Sequence, residues 1–217
     1  MLIEYMAHSC FYLQTKGGKS LVIDPCDPGI GYRPVNRSCD LIIVSHDHRG
    51  HNFIEGIRGK AGVMMGSLQP RRLDDVTVRN VLADHDASGG EKLGKTMITL
   101  VEADGMRLCH LGDLGQILSD EQVGEIGKVD ILCVPVGGHS TIDGKQAQQV
   151  VARLAPRLVI PMHYLTGNLN REEYPLQGVD LFLEKQLGVS RSYESRLEIT
   201  PDTLPEKQEI RVLNFTN

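Results

Sequence analysis

Three histidines crowd the segment SHDHRGH, as His46, His48 and His51. Imidazole suits zinc and similar first-row cations, so a cluster of this kind points first to metal binding. Alternate residues leaving a strand face one side, which lets His46 and His48 grip one ion together, and three more residues bring His51 round in a turn. A metal site also needs ligands from elsewhere in the chain. Asp113 follows Gly112 in CHLGD, where glycine allows a sharp turn that leaves a carboxylate free to bridge two cations. His163 closes RLVIPMH.

These positions share a context. Apolar runs finish repeatedly in a coordinating or acidic side chain: SLVID at Asp24, LIIVSH at His46, VLADH at His85, LCHLGD at Asp113 and LVIPMH at His163. Seven of the eight histidines lie in or just beyond such turns, where a rigid scaffold presents side chains to a crevice. Histidines placed only for packing have no reason to choose strand ends.

The elements behind these ends read as strands, because the runs are short and β-branched. LIEYM, CFYLQT and SLVID open the chain, with a hairpin turn at Lys16 to Lys19, and the proline-bearing stretch from Pro25 to Cys39 reads as a surface loop. DLIIVSH is a buried strand, followed by AGVMMG, VTVRNVLAD, the hairpin TMITLVEAD/GMRLCHLG, DILCVPVG, RLVIPMH, and a terminal pair, SRLEIT and EIRVLNF. Helices are fewer: SDEQVGEIG capped by Ser119, GKQAQQVVARLA capped by Asp143, and VDLFLEKQL ended by Gly188. Strands first and αβ units later give an α+β or layered α/β chain.

At 217 residues, one domain spanning residues 1–217 is expected. With 41% hydrophobic and 24% charged residues the composition is that of a soluble globular protein, and neither a signal peptide nor a membrane span is expected from MLIEYMAHSC and the runs that follow it. A net charge of −5 argues against nucleic acid as a partner, and the five scattered cysteines, with no CxxC, suit a reducing cytoplasm.

The order SLVIDP, SHDHRGH, VLADH, CHLGD and PMHY resembles the metallo-β-lactamase superfamily over residues 1 to about 165. HSCF, VPVGG and IPMHY further resemble the small metal-dependent hydrolase group that includes ascorbate-6-phosphate lactonase. The resemblance implies a four-layer αββα sandwich with one or two divalent cations at one edge: zinc first, with manganese, nickel or iron as alternatives. It places His46, His48 and His85 on the first metal, Asp113 between both, and His51 and His163 on the second. The family motif HxHxDH carries an aspartate where this chain has Gly50, so the second metal is expected to be weaker or absent.

The chemistry so implied is hydrolysis of an ester, lactone or phosphodiester-type small molecule by a metal-activated water. Asp113 would orient the nucleophile, and His139 or His8 would help protonate the leaving group. Asp24 is expected to orient a ligand imidazole, His110 to face either the site or the other layer, and Tyr164 to touch substrate. Asp47 should face away from its histidine neighbours, and Arg33, Arg37, Arg49, Arg71 and Arg72 are candidates for a positive rim. The rival reading is a non-catalytic or decayed metal-binding member of the same fold, which Gly50 favours. A homo-oligomer is left open, and no membrane partner is expected.

Overall fold

A computed structural model describes residues 1–216. β1 (Leu2–Ala7), β2 (Cys10–Gln14) and β3 (Ser20–Ile23) form an antiparallel meander, to which β4 (Leu41–Val44) and β5 (Gly62–Met65) add in parallel. β6 (Arg71–Leu73), β7 (Val76–Asp84), β8 (Lys95–Ala103) and β9 (Met106–His110) form a second meander. α1 (Asp120–Ile126) leads to β10 (Ile131–Pro135) and α2 (Gly144–Leu154) to β11 (Leu158–Met162), both parallel to β9 as helical crossovers require. α3 (Asp180–Leu183), β12 (Val189–Arg191), β13 (Arg196–Glu198) and β14 (Glu209–Val212) complete the chain.

The strands sort into two mixed sheets, ordered β13, β1, β2, β3, β4, β5 and β12, β14, β11, β10, β9, β8, β7, β6. Alternation along each strand fills three apolar layers. Leu21, Ile23, Leu41 and Ile43 face Val101, Leu108, Ile131 and Ile160 between the sheets. Their neighbours Val22, Ile42 and Val44 pack outward under Ile30, Tyr32 and Val35 of the loop after β3. The outer face of the second sheet lies under Ile126 of α1, Val150 and Val151 of α2 and Phe182 of α3. The sandwich of two facing sheets that the resemblance implies is present, with α1, α2 and α3 over the second sheet and, over the first, a thin outer layer made of loops and the short 3-10 turns Pro28–Ile30 and Ile54–Gly56. None of the helices among the described residues is long and apolar enough to cross a membrane.

Ser119 and Asp143 cap α1 and α2 through reciprocal capping boxes with Gln122 and Gln146. The segment VDLFLEKQL departs from expectation, since α3 stops at Leu183. The Gln148 side chain takes the Phe182 and Glu184 carbonyls at 2.8 and 3.0 Å, and Lys185 turns into the left-handed region. SRLEIT and EIRVLNF do not pair either: β13 joins β1 in the first sheet and β14 joins β11 in the second. β6 and β12 escaped the sequence reading because three residues carry no periodicity.

Strand direction decides where function collects. β1, β3 and β4 run the same way in the first sheet, and β7, β9 and β11 do so in the second. Their C-terminal ends come together at one edge, where Met97 N–H donates to the Ser45 carbonyl at 2.9 Å and His163 N–H to the His8 carbonyl at 2.9 Å. Gly112, with φ of +54°, is required there, because a Cβ would lie 2.6 Å from Thr96 Oγ1 and 2.8 Å from the Met97 carbonyl oxygen.

Candidate metal centre

The ends of β4, β7, β9 and β11 deliver groups to a common point. Asp113 Oδ2 lies 3.2 Å from His51 Nε2, 3.2 Å from His163 Nε2, 3.5 Å from His85 Nε2 and 3.8 Å from His46 Nε2. His48 Nδ1 is 3.3 Å from His85 Nε2. Ligands of a tetrahedral zinc at about 2.0–2.1 Å stand about 3.3–3.4 Å apart, so these separations suit atoms sharing a cation. All six side chains expected from sequence, His46, His48, His51, His85, Asp113 and His163, thus converge. His46, His48 and His85 form one group, and His46, His51 and Asp113 another.

The hydrogen bonds behind the cluster set the tautomers. His85 Nδ1–H donates to the Ser140 carbonyl at 2.9 Å, leaving the Nε2 lone pair turned inward. Asp24 accepts at 2.9 Å from His51 Nδ1–H, and at 2.7 Å each from the Ser45 amide and hydroxyl. Because the Ser45 proton is given to Asp24, its oxygen accepts from His46 Nδ1–H at 2.9 Å. One buried carboxylate therefore presents the Nε2 atoms of two histidines, His51 directly and His46 through Ser45. With its Nδ1 proton committed to Ser140, His85 Nε2 is left as the acceptor in its 3.3 Å contact with His48 Nδ1. His46 Nε2 and Asp113 Oδ1 are buried with no partner, an arrangement that a packed core avoids and a cation resolves.

Electrostatics agree with this arrangement. Burial, with His51 alongside, pushes His46 down to about 3. Burial and His85 also lower His48. Neutral imidazole is the coordinating form. Burial would raise the Asp113 carboxyl, but His163 and His51 hold it well below the usual carboxylate range. His51 behaves differently: burial lowers it, yet Asp113 and Asp24 on either side prevail and raise it to about 10.

The other sequence candidates divide. His8 is buried against the cluster, its ring centroid 4.1 Å from that of His163 and 5.3 Å from that of His51. His139 is exposed and lines the cavity of about 280 Å³ over the cluster, together with Leu93, Ser140, Tyr174 and Leu176. His85, Leu93, His139 and Ser140 also border a neighbouring cavity of about 550 Å³. His110 faces away, with Nε2–H donating to the Ser9 carbonyl at 2.8 Å and Nδ1 accepting from Gly112 N–H at 3.1 Å. Its part is to hold the Gly112 turn. Tyr164, expected to touch substrate, packs instead in the apolar layer over the second sheet. Asp47 bonds Asn52, away from the histidines. Of the five arginines, Arg49 lines the cavity and pairs with Asp27 at 3.0 Å, whereas Arg37 is bound to Glu4 at 2.8 Å.

Sequence reasoning missed Ser45, the Ser140 carbonyl and Thr96, whose Oγ1 accepts from the Asp113 amide at 3.2 Å. Only Ser45 left a trace, as the residue before His46. Backbone strain marks the same place: of the eight non-glycine residues with positive φ among the described residues, His8, Asp24, His139 and His163 are at the site.

Two facing mixed sheets with a histidine and aspartate cluster across their shared edge define the class of protein. A family model described as a beta-lactamase superfamily domain matches residues 2–163, and the chain belongs to the metallo-β-lactamase superfamily. Among its relatives, a UPF0173 metal-dependent hydrolase of Pyrococcus furiosus is 31% identical over 193 residues, 76% of this chain and 84% of the relative. A crystal structure of a Thermotoga maritima chain assigned to the same superfamily is 33% identical, covers 99% of both chains and has a TM-score of 0.81. A metallo hydrolase of Ignicoccus hospitalis, 22% identical with a TM-score of 0.56 over 80% of this chain and 88% of its own, shares the fold.

Proposed function

We propose that this chain is a metal-dependent hydrolase whose His46, His48 and His85 hold one divalent cation, with Asp113 between it and a second position at His51 and His163. The observation that carries the reading is Asp113 Oδ2, ringed by four imidazole nitrogens at 3.2 to 3.8 Å. A nitrogen-rich set with one carboxylate suits zinc first, and manganese, nickel or iron as alternatives. Such a cation, when bound, supplies a Lewis acid and a water of pKa near about 7.

The chain's own residues do the rest. Asp24, Ser45 and Ser140 take the outer ring protons of His51, His46 and His85, which leaves their inward nitrogens to coordinate once His51 gives up its second proton, and Asp113 orients the attacking group. His139 would give a proton to the leaving group, a role that its position in the cavity lining supports. Leu93, Tyr174 and Leu176 shield the cluster and seat an apolar portion of the substrate. A cavity of about 280 Å³ suits a small molecule with an ester, lactone or phosphodiester bond. The names carried by the relatives support hydrolysis.

The same reading takes residues 1–217 as one domain in the cytoplasm, supported by five buried, unpaired cysteines. His48→Ala should lose metal from the first position and abolish turnover of ester and phosphodiester reporters; full activity without metal contradicts the proposal. Gly50 favours the non-catalytic alternative, which a metal-loaded protein inert toward the whole reporter panel would support.

A further inference from the structure

Gly50 occupies a position where the backbone does not ask for glycine, since its φ lies outside the left-handed region. What a side chain there would meet is the His8 ring: a Cβ on residue 50 would lie 3.1 Å from His8 Nε2 and 3.3 Å from Cδ2. An acidic side chain extending from that Cβ and the His8 imidazole compete for one space.

His8 is built into that space. Its carbonyl accepts from the Tyr5 hydroxyl at 2.9 Å and from the His163 amide at 2.9 Å, which fixes a histidine at φ of +54° on the turn between β1 and β2. The residue is 3% exposed; Nδ1 is buried without a hydrogen-bond partner, and Nε2, which faces position 50, belongs to a ring in the lining of the cavity over the cluster. His110, a core histidine of the same edge, has partners at both nitrogens. One ring nitrogen from each of His8, His51 and His163 lies within 4.8 Å of the other two, and all three residues are buried. A strained, buried imidazole whose Nε2 faces the space left by Gly50, next to two candidate ligands, has the features of a ligand rather than of packing.

The geometry points to His8 as a ligand of the second cation, completing a set with His51, His163 and Asp113 in the space that a side chain at position 50 would fill. The inference rests on the metal-centre reading above and adds a nitrogen donor where Gly50 offers nothing. The second position becomes richer in histidine than an aspartate-completed site, and so shifts toward zinc and other cations that favour imidazole over oxygen.

The test is metal stoichiometry and affinity, measured by elemental analysis and by competition with a chromophoric chelator, on wild type, His8→Asn and His8→Asn/Gly50→Asp. Asparagine tolerates positive φ, so the turn is preserved. Wild type should hold two zinc ions per chain. His8→Asn should keep the first and bind the second about 100-fold or more weakly, beyond the 10–100-fold expected for losing a supporting hydrogen bond. The double variant, with an acid where the ring stood, should regain the second ion. His8→Asn binding both ions with wild-type affinity overturns the inference alone, as does a wild type that stops at one ion under saturating zinc. A wild type that binds no ion overturns the metal-centre reading with it.

Discussion

Asp24→Asn is the change through which the supporting network can be weighed. The carboxylate is fully buried and accepts three hydrogen bonds, from the Ser45 amide, the Ser45 hydroxyl and His51 Nδ1. An amide of the same shape has one accepting oxygen and one NH2. If the oxygen stays on the Ser45 amide at 2.7 Å, the NH2 faces His51 Nδ1 and the Ser45 hydroxyl. The Nδ1 of His51 must then accept, which moves its proton to Nε2, the atom aimed at Asp113. Ser45 loses the acceptor that made it an acceptor for His46. Metal affinity should fall about 10–100-fold, or about 1.4–2.8 kcal/mol, from a residue that touches no ion. Chelator competition on folded Asp24→Asn reads this directly. Affinity equal to wild type would refute the claim that Asp24 sets the tautomers.

Metal binding at pH 7 should release about one proton per chain from His51, whose metal-free pKa is raised from 6.5 to about 10 by its two carboxylates, against burial. Calorimetry in buffers of different ionisation enthalpy counts it. The sign for stability follows: a raised histidine stabilises the metal-free fold below pH 6.5 and loses that contribution as pH rises through about 10. Asp86→Ala should speed amide exchange at Ser88, Gly90, Lys92 and Leu93, all of which donate to its carboxylate, while metal content stays unchanged. The Leu93 amide foremost holds that carboxyl at about 2, so the loop should also loosen as pH falls from 3.8 through about 2. Asp143→Ala removes the α2 cap and should cost about 0.5–2 kcal/mol in urea unfolding, with metal affinity unaffected.

The candidate ligands were legible because His46, His85, Asp113 and His163 each end an apolar run, with His48 and His51 close behind His46, and a strand end is visible in sequence as a change from apolar to coordinating residues. Asp24 was legible for the same reason. The contributions of Ser140 and Thr96 were not, because a backbone carbonyl or a threonine hydroxyl acquires its role only when β7 and β8 are brought against their neighbours. The position of His8 depended on two hydrogen bonds that impose a positive φ, and no local pattern encodes those. The separate destinations of β13 and β14 likewise depend on which sheet edge is free, a property of the whole topology. Tyr164 misled because it follows His163, although the turn at His163 sends it into the opposite layer.

Anomalous diffraction at the zinc edge, on crystals grown with zinc, tests the convergence most directly. The expected map has a peak about 2.0–2.2 Å from His46 Nε2, His48 Nδ1, His85 Nε2 and an Asp113 oxygen. A second peak is expected among His51, His163, Asp113 and His8. A map with no peak at this edge, in crystals whose zinc is bound elsewhere on the chain, would contradict the metal centre.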